Sequence, residues 1–456
     1  MNIYPKIIRI GAGVTVLVAV LAFLVRAAGA QIPAVQRLSL GEAARIAAAQ
    51  TAGVQSAQAR VDEAQARVRQ SRASLLPQVE AAPSWSSHTL NSATFGFDFP
   101  SPPGQPPLLD PHGQIIGPVK LFDFRGQATQ SLYDPVARQR IKAAQSGVAA
   151  AGADVMIAAE ASATNAAVTY VRALRSDAAL QARLADSTIA AELLVIARDQ
   201  LAAGVGVGLD VARAQSQLAA ARGQLIAARN DRGRLRLDLL RALNMPLDTR
   251  VELTDSLAAL PEPSEVDEAA AVDRAVRTRP DVRAAEAQLA AAQQQLAVVR
   301  ASRLPTVGLF ANDGPIGTGL GHLLNTYTYG VQLTWPLFEG GRREGQTQEQ
   351  EAVARDIDVR RRDLRQQVAV DVRSAFFDIA SARELVDAAR VRQSLAEREV
   401  EMARDRFRAG VAGNADVVTA LASLNGSRTA VIDALTAYQT ARVALARAEG
   451  SVSQLP

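Results

Sequence analysis

Apolar residues recur at spacings of three, four and seven through the C-terminal part of the chain. This spacing places them on one face of an amphipathic or coiled-coil helix. They include Val353, Ile357, Leu364, Val368, Val372, Phe376 and Ile379. All twenty prolines lie outside two runs, 136–245 and 337–455, and a proline inside a helix costs about 3 kcal/mol. Both runs are therefore predicted to be almost wholly helical.

A glycine-rich segment interrupts each run once, GVGVG at 204–208 and GVAGN at 410–414. Because glycine ends helices and turns chains, each run is predicted to form a helical hairpin with one long arm and one shorter arm. At 1.5 Å per residue, the long arm at 136–203 would extend about 100 Å. The returning arm at 209–243 and a short helix at 53–75 would together nearly match that length. The second half is predicted to have the same set of helices, a long arm, a returning arm and a short helix, with the short helix at 281–303.

The end of this column opposite the glycine turns alternates apolar and polar residues. Between 326 and 337 the apolar face is formed by Tyr327, Tyr329, Val331, Leu333, Trp335 and Leu337. Segments 79–88 and 122–132 alternate in the same way. Strands of about ten residues with an apolar, aromatic-rich outer face are typical of outer-membrane β-barrels. A soluble sheet with one buried face is the alternative.

Two hairpins of this kind supply four strands, which are too few to close a membrane barrel, because the smallest have about eight. An open sheet edge in lipid would leave backbone groups without hydrogen-bond partners. The chain is therefore predicted to oligomerise, and three copies would supply twelve strands.

Residues 201–244 are similar to residues 407–450. The matched pairs include Gly204 and Gly410, Asp210 and Asp416, and Arg222 and Arg428, each 206 residues apart. Internal similarity of this kind predicts a structural duplication. We predict a first repeat at 31–260, with a β-hairpin at 77–135 and a helical hairpin at 136–244. A second repeat follows at 261–456, with a β-hairpin at 305–338 and a helical hairpin at 341–450.

The N-terminus has the pattern of an export signal. Lys6 and Arg9 precede an apolar stretch at 10–25, and Ala28-Gly29-Ala30 offers a small-residue cleavage site. These features predict a signal peptide at 1–30, with an uncleaved signal anchor as the alternative.

Charge and cysteine content narrow the class of protein. The net charge is +4, and the basic residues alternate with acidic ones along the helices instead of clustering, so nucleic-acid binding is not expected. The chain has no cysteine, which excludes disulfides, thiol nucleophiles and thiolate metal sites. The segment at 204–208 lacks the preceding strand and following lysine of a phosphate-binding loop. We therefore predict neither an enzyme nor a cofactor or metal site.

Several motifs in a fixed order accompany the doubled unit: LLP and RLP before the first strands, RTRPDVRAA at 277–285, and SLYDP and PLFEGG after the second strands. With them the chain resembles the TolC-like outer membrane factor family over essentially its whole mature length. The resemblance implies a mixed α and β membrane protein: a homotrimer with a twelve-stranded barrel in outer-membrane lipid, continuous with a periplasmic α-helical barrel. It also implies partners, namely a periplasmic adaptor (membrane fusion) protein and an inner-membrane efflux pump or ABC exporter. The expected function is the exit duct of a tripartite efflux or type I secretion system.

The two glycine turns are the predicted functional site. In the family, such tips accept adaptor hairpins, and a Val-Gly-Leu tip has been associated with that contact. The expected docking residues are Gly204, Val207, Gly208 and Leu209 at the first tip, and Gly410, Val411 and Gly413 at the second. Asp210 and Asp416 are expected to cap the returning helices. For Asp416 the resemblance also implies a place in a ring of carboxylates at the periplasmic gate.

Two other architectures remain as alternatives from the sequence. A periplasmic adaptor would carry one helical hairpin within a split soluble β-domain, and a coiled-coil structural protein would lack the strand pattern. The cargo stays open among drugs, metal ions, lipids and exported proteins.

Overall fold

A computed structural model describes residues 35–95, 103–105, 113–260 and 267–456. The predicted signal peptide at 1–30 lies outside the described residues.

Helices form most of the described chain. In the first half they are α1 (Leu40–Gln50), α2 (Ala52–Ala73), α3 (Pro135–Ala202) and α4 (Gly208–Ala242). In the second half they are α5 (Glu268–Thr278), α6 (Pro280–Ala301), α7 (Arg342–Arg408) and α8 (Asn414–Glu449). The 68 residues of α3 correspond to about 100 Å. Within the described part of the chain, no helix combines the length and the apolar character needed to cross a bilayer.

The long helices begin and end where local chemistry requires it. Asp134 caps α3 by accepting a hydrogen bond from the Ala137 backbone N–H at 2.8 Å, and Pro135 occupies the first helical position, where it sacrifices no helical hydrogen bond. Gly341 precedes α7 in the left-handed region at φ 82°, which favours glycine.

The two hairpins pack side by side. The α3 helix lies between α4 and α8, and α8 lies between α3 and α7. Near the tips all four helices share one core of mostly small side chains: Ala190, Leu193 and Ala197 from α3, Ala214 and Leu218 from α4, Ala396 and Val400 from α7, and Val417, Ala420 and Leu421 from α8. Alanine at these positions lets helices approach closely along their length.

Midway along the column, a second core surrounds Tyr170, which is fully buried. Its hydroxyl donates a hydrogen bond to the Leu38 carbonyl at 2.8 Å, and burial raises the pKa of that hydroxyl. Leu38 ends β1 (Gln36–Leu38), which pairs in parallel with β6 (Val251–Leu253). The small sheet therefore joins the start of the described chain to the link between its halves.

The larger sheet contains β2 (Gln78–Ala81), β3 (Ser84–Asn91), β4 (Ile115–Asp123), β5 (Gly126–Tyr133), β7 (Thr306–Gly317) and β8 (Leu323–Thr334). The six segments amount to four passes of the chain through the sheet, which we call paths. The first path is β2 and β3, separated only by residues 82–83, and the second is β4 and β5, separated only by residues 124–125; β7 and β8 are the third and fourth. The second path pairs with the first and with β7, and β7 pairs with β8, all antiparallel. Within the described residues, β8 and the β2–β3 path are unpaired edges of an open sheet.

A close contact on the face of this sheet opposite Val331 involves Phe310 and Gly330, which are paired across β7 and β8. A Cβ added at Gly330 would lie 2.8 Å from the Phe310 ring. We expect Gly330→Ala to displace that ring and to cost about 1–3 kcal/mol, as overpacking does. The measurement is the temperature at which the protein unfolds in detergent. Gly308→Ala is the control, since its Cβ would meet only the Gln130 carbonyl oxygen at 3.5 Å; equal melting temperatures for the two variants would contradict the expectation.

Candidate docking and gating site at the helical tips

Both hairpins turn in the same way. After α3, Gly204 adopts φ 75°, and after α7, Gly410 adopts φ 70°. The Val205 N–H donates to the Gln200 carbonyl and the Val411 N–H to the Arg406 carbonyl, each at 3.0 Å. A left-handed residue followed by such a bond back into the last turn is a common helix ending. It requires glycine because other residues are strained at this φ.

The first tip exposes several apolar side chains. Val205, Val207 and Leu209 are 75%, 57% and 57% exposed, and a Cβ added at Gly208 would meet nothing within 4 Å. The predicted docking residues of this tip, Gly204, Val207, Gly208 and Leu209, are all exposed. At the second tip only Val411 is a large exposed apolar residue, at 73%, and Gly413 lies beside it in extended conformation.

Hydrogen bonds join the two tips within one chain. The Asn414 side-chain amide donates to the Asp210 carbonyl at 3.0 Å, and the Gln200 amide donates to the Phe407 carbonyl at 2.8 Å. Asn414 is 1% exposed, and its Oδ1 has no hydrogen-bond partner. The sequence did not single out this residue. The sequence does contain one signal: Asn414 occupies the position that Gly208 has in the first repeat. Glycine has no side chain, so only the second tip can make this hydrogen bond to the other tip.

The predicted capping role of Asp210 and Asp416 is wrong. The N-cap residues of α4 and α8 are Val207 and Gly413, and neither helix has a side-chain capping hydrogen bond. Both carboxylates instead occupy the third helical position, where they interact favourably with the helix dipole. Asp210 is half-buried, with Arg213 3.8 Å from its Oδ1, whereas Asp416 is exposed. Of these two aspartates, Asp416 is therefore the one whose side chain is exposed to solvent.

A buried polar cluster lies above the tips, where α3 meets α8. The Asp186 carboxylate, whose side chain is 3% exposed, accepts hydrogen bonds from Arg183 at 3.1 Å and from Arg428 at 2.9 Å. The Asn425 amide, oriented with its nitrogen toward the carboxylate, donates at 2.7 Å. Arg183 also donates to the Thr429 hydroxyl at 3.1 Å. We call these five residues the Asp186 cluster. The sequence analysis did not predict this cluster, because Asp186 and Arg428 are 242 residues apart in sequence and meet only when the two hairpins pack.

Two glycines of the first tip should respond differently to a methyl group. A Cβ at Gly206 would lie 2.9 Å from the Leu201 backbone nitrogen, whereas a Cβ at Gly208 would meet nothing within 4 Å. We expect Gly206→Ala to distort the turn and to increase proteolysis there, and Gly208→Ala to leave the turn intact. Limited proteolysis of both variants measures this. Equal cleavage of the two would contradict the turn geometry.

No histidine, aspartate or glutamate side chains come together as a possible metal site anywhere in the described ranges. The groups at the tips are backbone amides, apolar side chains, and carboxylates and guanidinium groups such as those of Asp210 and Arg213 and of Asp405 and Arg408. Such a surface can bind another protein or interact with passing ions.

Comparison with known proteins is consistent with this architecture. The efflux pump outer membrane protein TtgC of Pseudomonas putida is 27% identical over 269 residues, covering 54% of this chain and 51% of TtgC. The outer membrane efflux protein BepC of Brucella suis is 29% identical over 298 residues, covering 63% of this chain and 62% of BepC. The chain thus matches about half to two thirds of the length of these relatives.

Among solved structures, the outer membrane protein VceC of Vibrio cholerae superposes with a TM-score of 0.68 at 20% identity, covering 90% of this chain and 96% of VceC. This likeness shows the fold. The family model for outer membrane efflux proteins matches residues 43–245 and 271–451, which is most of the chain. The chain therefore belongs to the outer membrane efflux protein family, and its place is the outer membrane.

Proposed function

We propose that three copies of the chain form the exit duct of a tripartite efflux or type I secretion system. The observation that carries this proposal is an open four-path sheet with an exposed apolar face, attached to helical hairpins about 100 Å long. A sheet of this kind suits a bilayer, and hairpins of this length suit a tunnel that reaches deep into the periplasm.

The apolar face of β8 supports the membrane part of the proposal. Tyr327, Tyr329, Val331 and Leu333 are between 64% and 77% exposed. Side chains of this size are rarely exposed in a row on a soluble protein, but they are the expected surface of a barrel in lipid. Lipid contact would bury them all.

The unpaired sheet edges support the trimer. In a bilayer, each unpaired backbone group costs several kcal/mol, so β8 of one copy must pair with the β2–β3 path of the next. Three copies then supply twelve strands, which close the barrel.

The tips support docking to a periplasmic adaptor that connects the duct to an inner-membrane pump or ABC exporter. The exposed Val205, Val207 and Leu209 form an apolar surface at the far end of the column, where a partner can bury them. We place the docking residues at Gly204, Val207, Gly208, Leu209, Gly410, Val411 and Gly413. The relatives named as efflux pump components favour efflux as the process. A duct acts by offering a path for its cargo and needs no bond chemistry.

Asp416 is the proposed gate residue. Three exposed carboxylates near one axis would attract cations and repel anions. We expect Asp416→Ala to lower the cation selectivity of the channel in planar bilayers. Asp210→Ala is the control, because its half-buried carboxylate already faces Arg213. Equal selectivity of Asp416→Ala and the parent protein would remove Asp416 from the gate.

The experiment that tests the function is the drug susceptibility of a strain lacking this chain. We expect hypersensitivity to hydrophobic drugs, dyes and detergents, restored by the intact gene but not by a gene without residues 204–209. Unchanged susceptibility together with loss of a secreted protein would assign the duct to type I secretion. Unchanged susceptibility and secretion would contradict the proposal.

A further inference from the structure

The interface between α3 and α8 contains the Asp186 cluster. The interface is formed by one face of α3 and one face of α8. The α3 residues are Arg175, Ala179, Ala182, Asp186 and Ile189, and the α8 residues are Asn425, Arg428, Thr429, Ile432 and Asp433. Besides the contacts of Asp186, Arg175 donates to the Asp433 carboxylate at 2.8 Å. The sequence spacing of three and four on each helix is that of a packed helix pair.

The second repeat has the same helical register as the first. Adding 206 to the last residue of α3, Ala202, gives Arg408, the last residue of α7. Burial agrees with this register: several buried positions of α3 have buried counterparts in α7. They are Ala166 and Val372, Thr169 and Ala375, Ser176 and Ala382, Leu180 and Val386, Ala190 and Ala396, and Leu194 and Val400. The face that each long helix turns to its own returning helix is therefore equivalent in the two repeats.

On α3, a second face packs on α8. Within the described residues, the equivalent face of α7 packs on no helix of the same chain. The counterparts of the α3 residues at the α8 interface are Ser381, Leu385, Ala388, Arg392 and Leu395, which we call the α7 stripe. All five are exposed, with Leu385 at 57% and Leu395 at 55%. Their spacing of four, three, four and three is again that of a helix-packing face.

A matching uncovered face lies on α4. The counterparts of the α8 residues at the α3 interface are Ala219, Arg222, Gly223, Ile226 and Ala227, which we call the α4 stripe. All five are exposed, and Ile226 is 66% exposed. Because α4 and α7 lie at opposite sides of the α3–α8 pair, one chain cannot bring the two stripes together.

We infer that the α7 stripe of one copy packs on the α4 stripe of a second copy, in the register of α3 and α8, and that Arg392 then lies opposite Arg222. This inference rests on the assembly in the proposed function and specifies its helical interface. Arg392 takes the position of Asp186, and Arg222 takes the position of Arg428. Ala219 and Gly223 take the positions of Asn425 and Thr429, so the polar partners of the cluster are missing.

The interface between copies therefore differs in charge from the interface within a copy. Neither Arg222 nor Arg392 has an ion-pair partner in the described part of the chain. The nearest acids on α7, Asp387 and Glu397, lie five residues from Arg392, which turns them about 140° away from it around the helix. Two facing guanidinium groups repel each other, whereas the Asp186 cluster holds its two helices together.

Cysteine cross-linking tests the register, with a clean background because the natural chain contains no cysteine. Ala389 and Gly223 are the counterparts of Arg183 and Thr429, which are in contact. In membranes that contain the full-length protein, we expect Ala389→Cys with Gly223→Cys to form cross-linked dimers and trimers with a short bifunctional thiol reagent. Asn230→Cys is the matched control in place of Gly223→Cys. It lies on the same face of α4, about 10 Å further along.

The outcomes of this cross-linking separate the inference from the proposed function. Cross-links with Asn230→Cys, or with neither variant, in a protein that light scattering shows to be trimeric would overturn the register but not the duct. A monomeric protein would overturn the assembly itself. A cross-link of either cysteine to a different protein would overturn the second copy as the occupant of the stripes.

A charge exchange tests the repulsion between the two arginines. Arg392→Asp copies the acid of the first repeat into the second, where Arg222 of the next copy would pair with it. We expect the trimer of Arg392→Asp in detergent to dissociate several degrees above the parent, with Arg392→Ala between the two. Added salt should raise the dissociation temperature of the parent more than that of Arg392→Asp, because salt screens repulsion. Dissociation of Arg392→Asp at or below the parent temperature would overturn the facing pair.

Discussion

Val331→Arg is expected to remove most of the assembled protein from the outer membrane. Val331 lies in β8 between Tyr329 and Trp335 on the apolar side of the chain, is 66% exposed, and is paired with Leu309. An arginine on the lipid face near the bilayer midplane costs about 2–4 kcal/mol in a barrel. A trimer would carry three such residues, so the cost is paid three times within one barrel. The measurement is the amount of heat-dissociable trimer in the outer-membrane fraction.

Gln332→Arg is the control for this experiment. Gln332 is the next residue of the same strand, it is also exposed, and it points to the opposite face of the sheet, because side chains alternate along a strand. An arginine there would lie in a water-filled interior, so we expect near-normal assembly. If both variants assemble equally well, the apolar face of β8 does not contact lipid. If both fail, the strand tolerates no substitution and the two faces are not distinguished as proposed.

Helix limits were predictable from the sequence because proline and glycine determine them locally. The long arm was predicted at 136–203, and α3 spans Pro135–Ala202. The short helix was predicted at 281–303, and α6 spans Pro280–Ala301. Alternation in the strands was equally readable, since Tyr327, Tyr329 and Val331 pair with alternate residues of β7 and therefore lie on one face of the sheet. Signals of this kind depend on residues close together in the chain.

The details of the tips were less predictable. The capping prediction for Asp210 and Asp416 failed because helix starts depend on where the preceding turn releases the chain. The left-handed glycine and a few extended residues end the turn at Val207 and Gly413, so each helix begins two residues before its aspartate. The hydrogen bond from Asn414 to Asp210 joins residues of different hairpins and has no local sequence signal.

The Asp186 cluster illustrates the same limit at larger distance and has the greatest expected effect on the helical part. Nothing near Asp186 in the sequence indicates that Arg428 and Asn425 will reach it from another helix. Internal similarity even conceals the cluster, because the counterpart of Asp186 in the second repeat is Arg392. A repeat therefore predicts shared packing faces but not the polar contacts that distinguish one interface from the next.

We expect Asp186→Ala to destabilise the helical hairpins by about 3 kcal/mol, because removing one partner of a buried charge pair leaves the other uncompensated. Arg183 and Arg428, whose side chains are only 24% and 21% exposed, would then face each other without the carboxylate. The measurement is the free energy of unfolding in detergent, followed by helix content. Asp433→Ala is the matched control on the same two helices. Its pair with Arg175 has side chains 53% and 44% exposed, so its loss should cost under about 1 kcal/mol. Equal costs for the two variants would show that burial of Asp186 does not strengthen the α3–α8 interface, and the contrast between interfaces within and between copies would lose its basis.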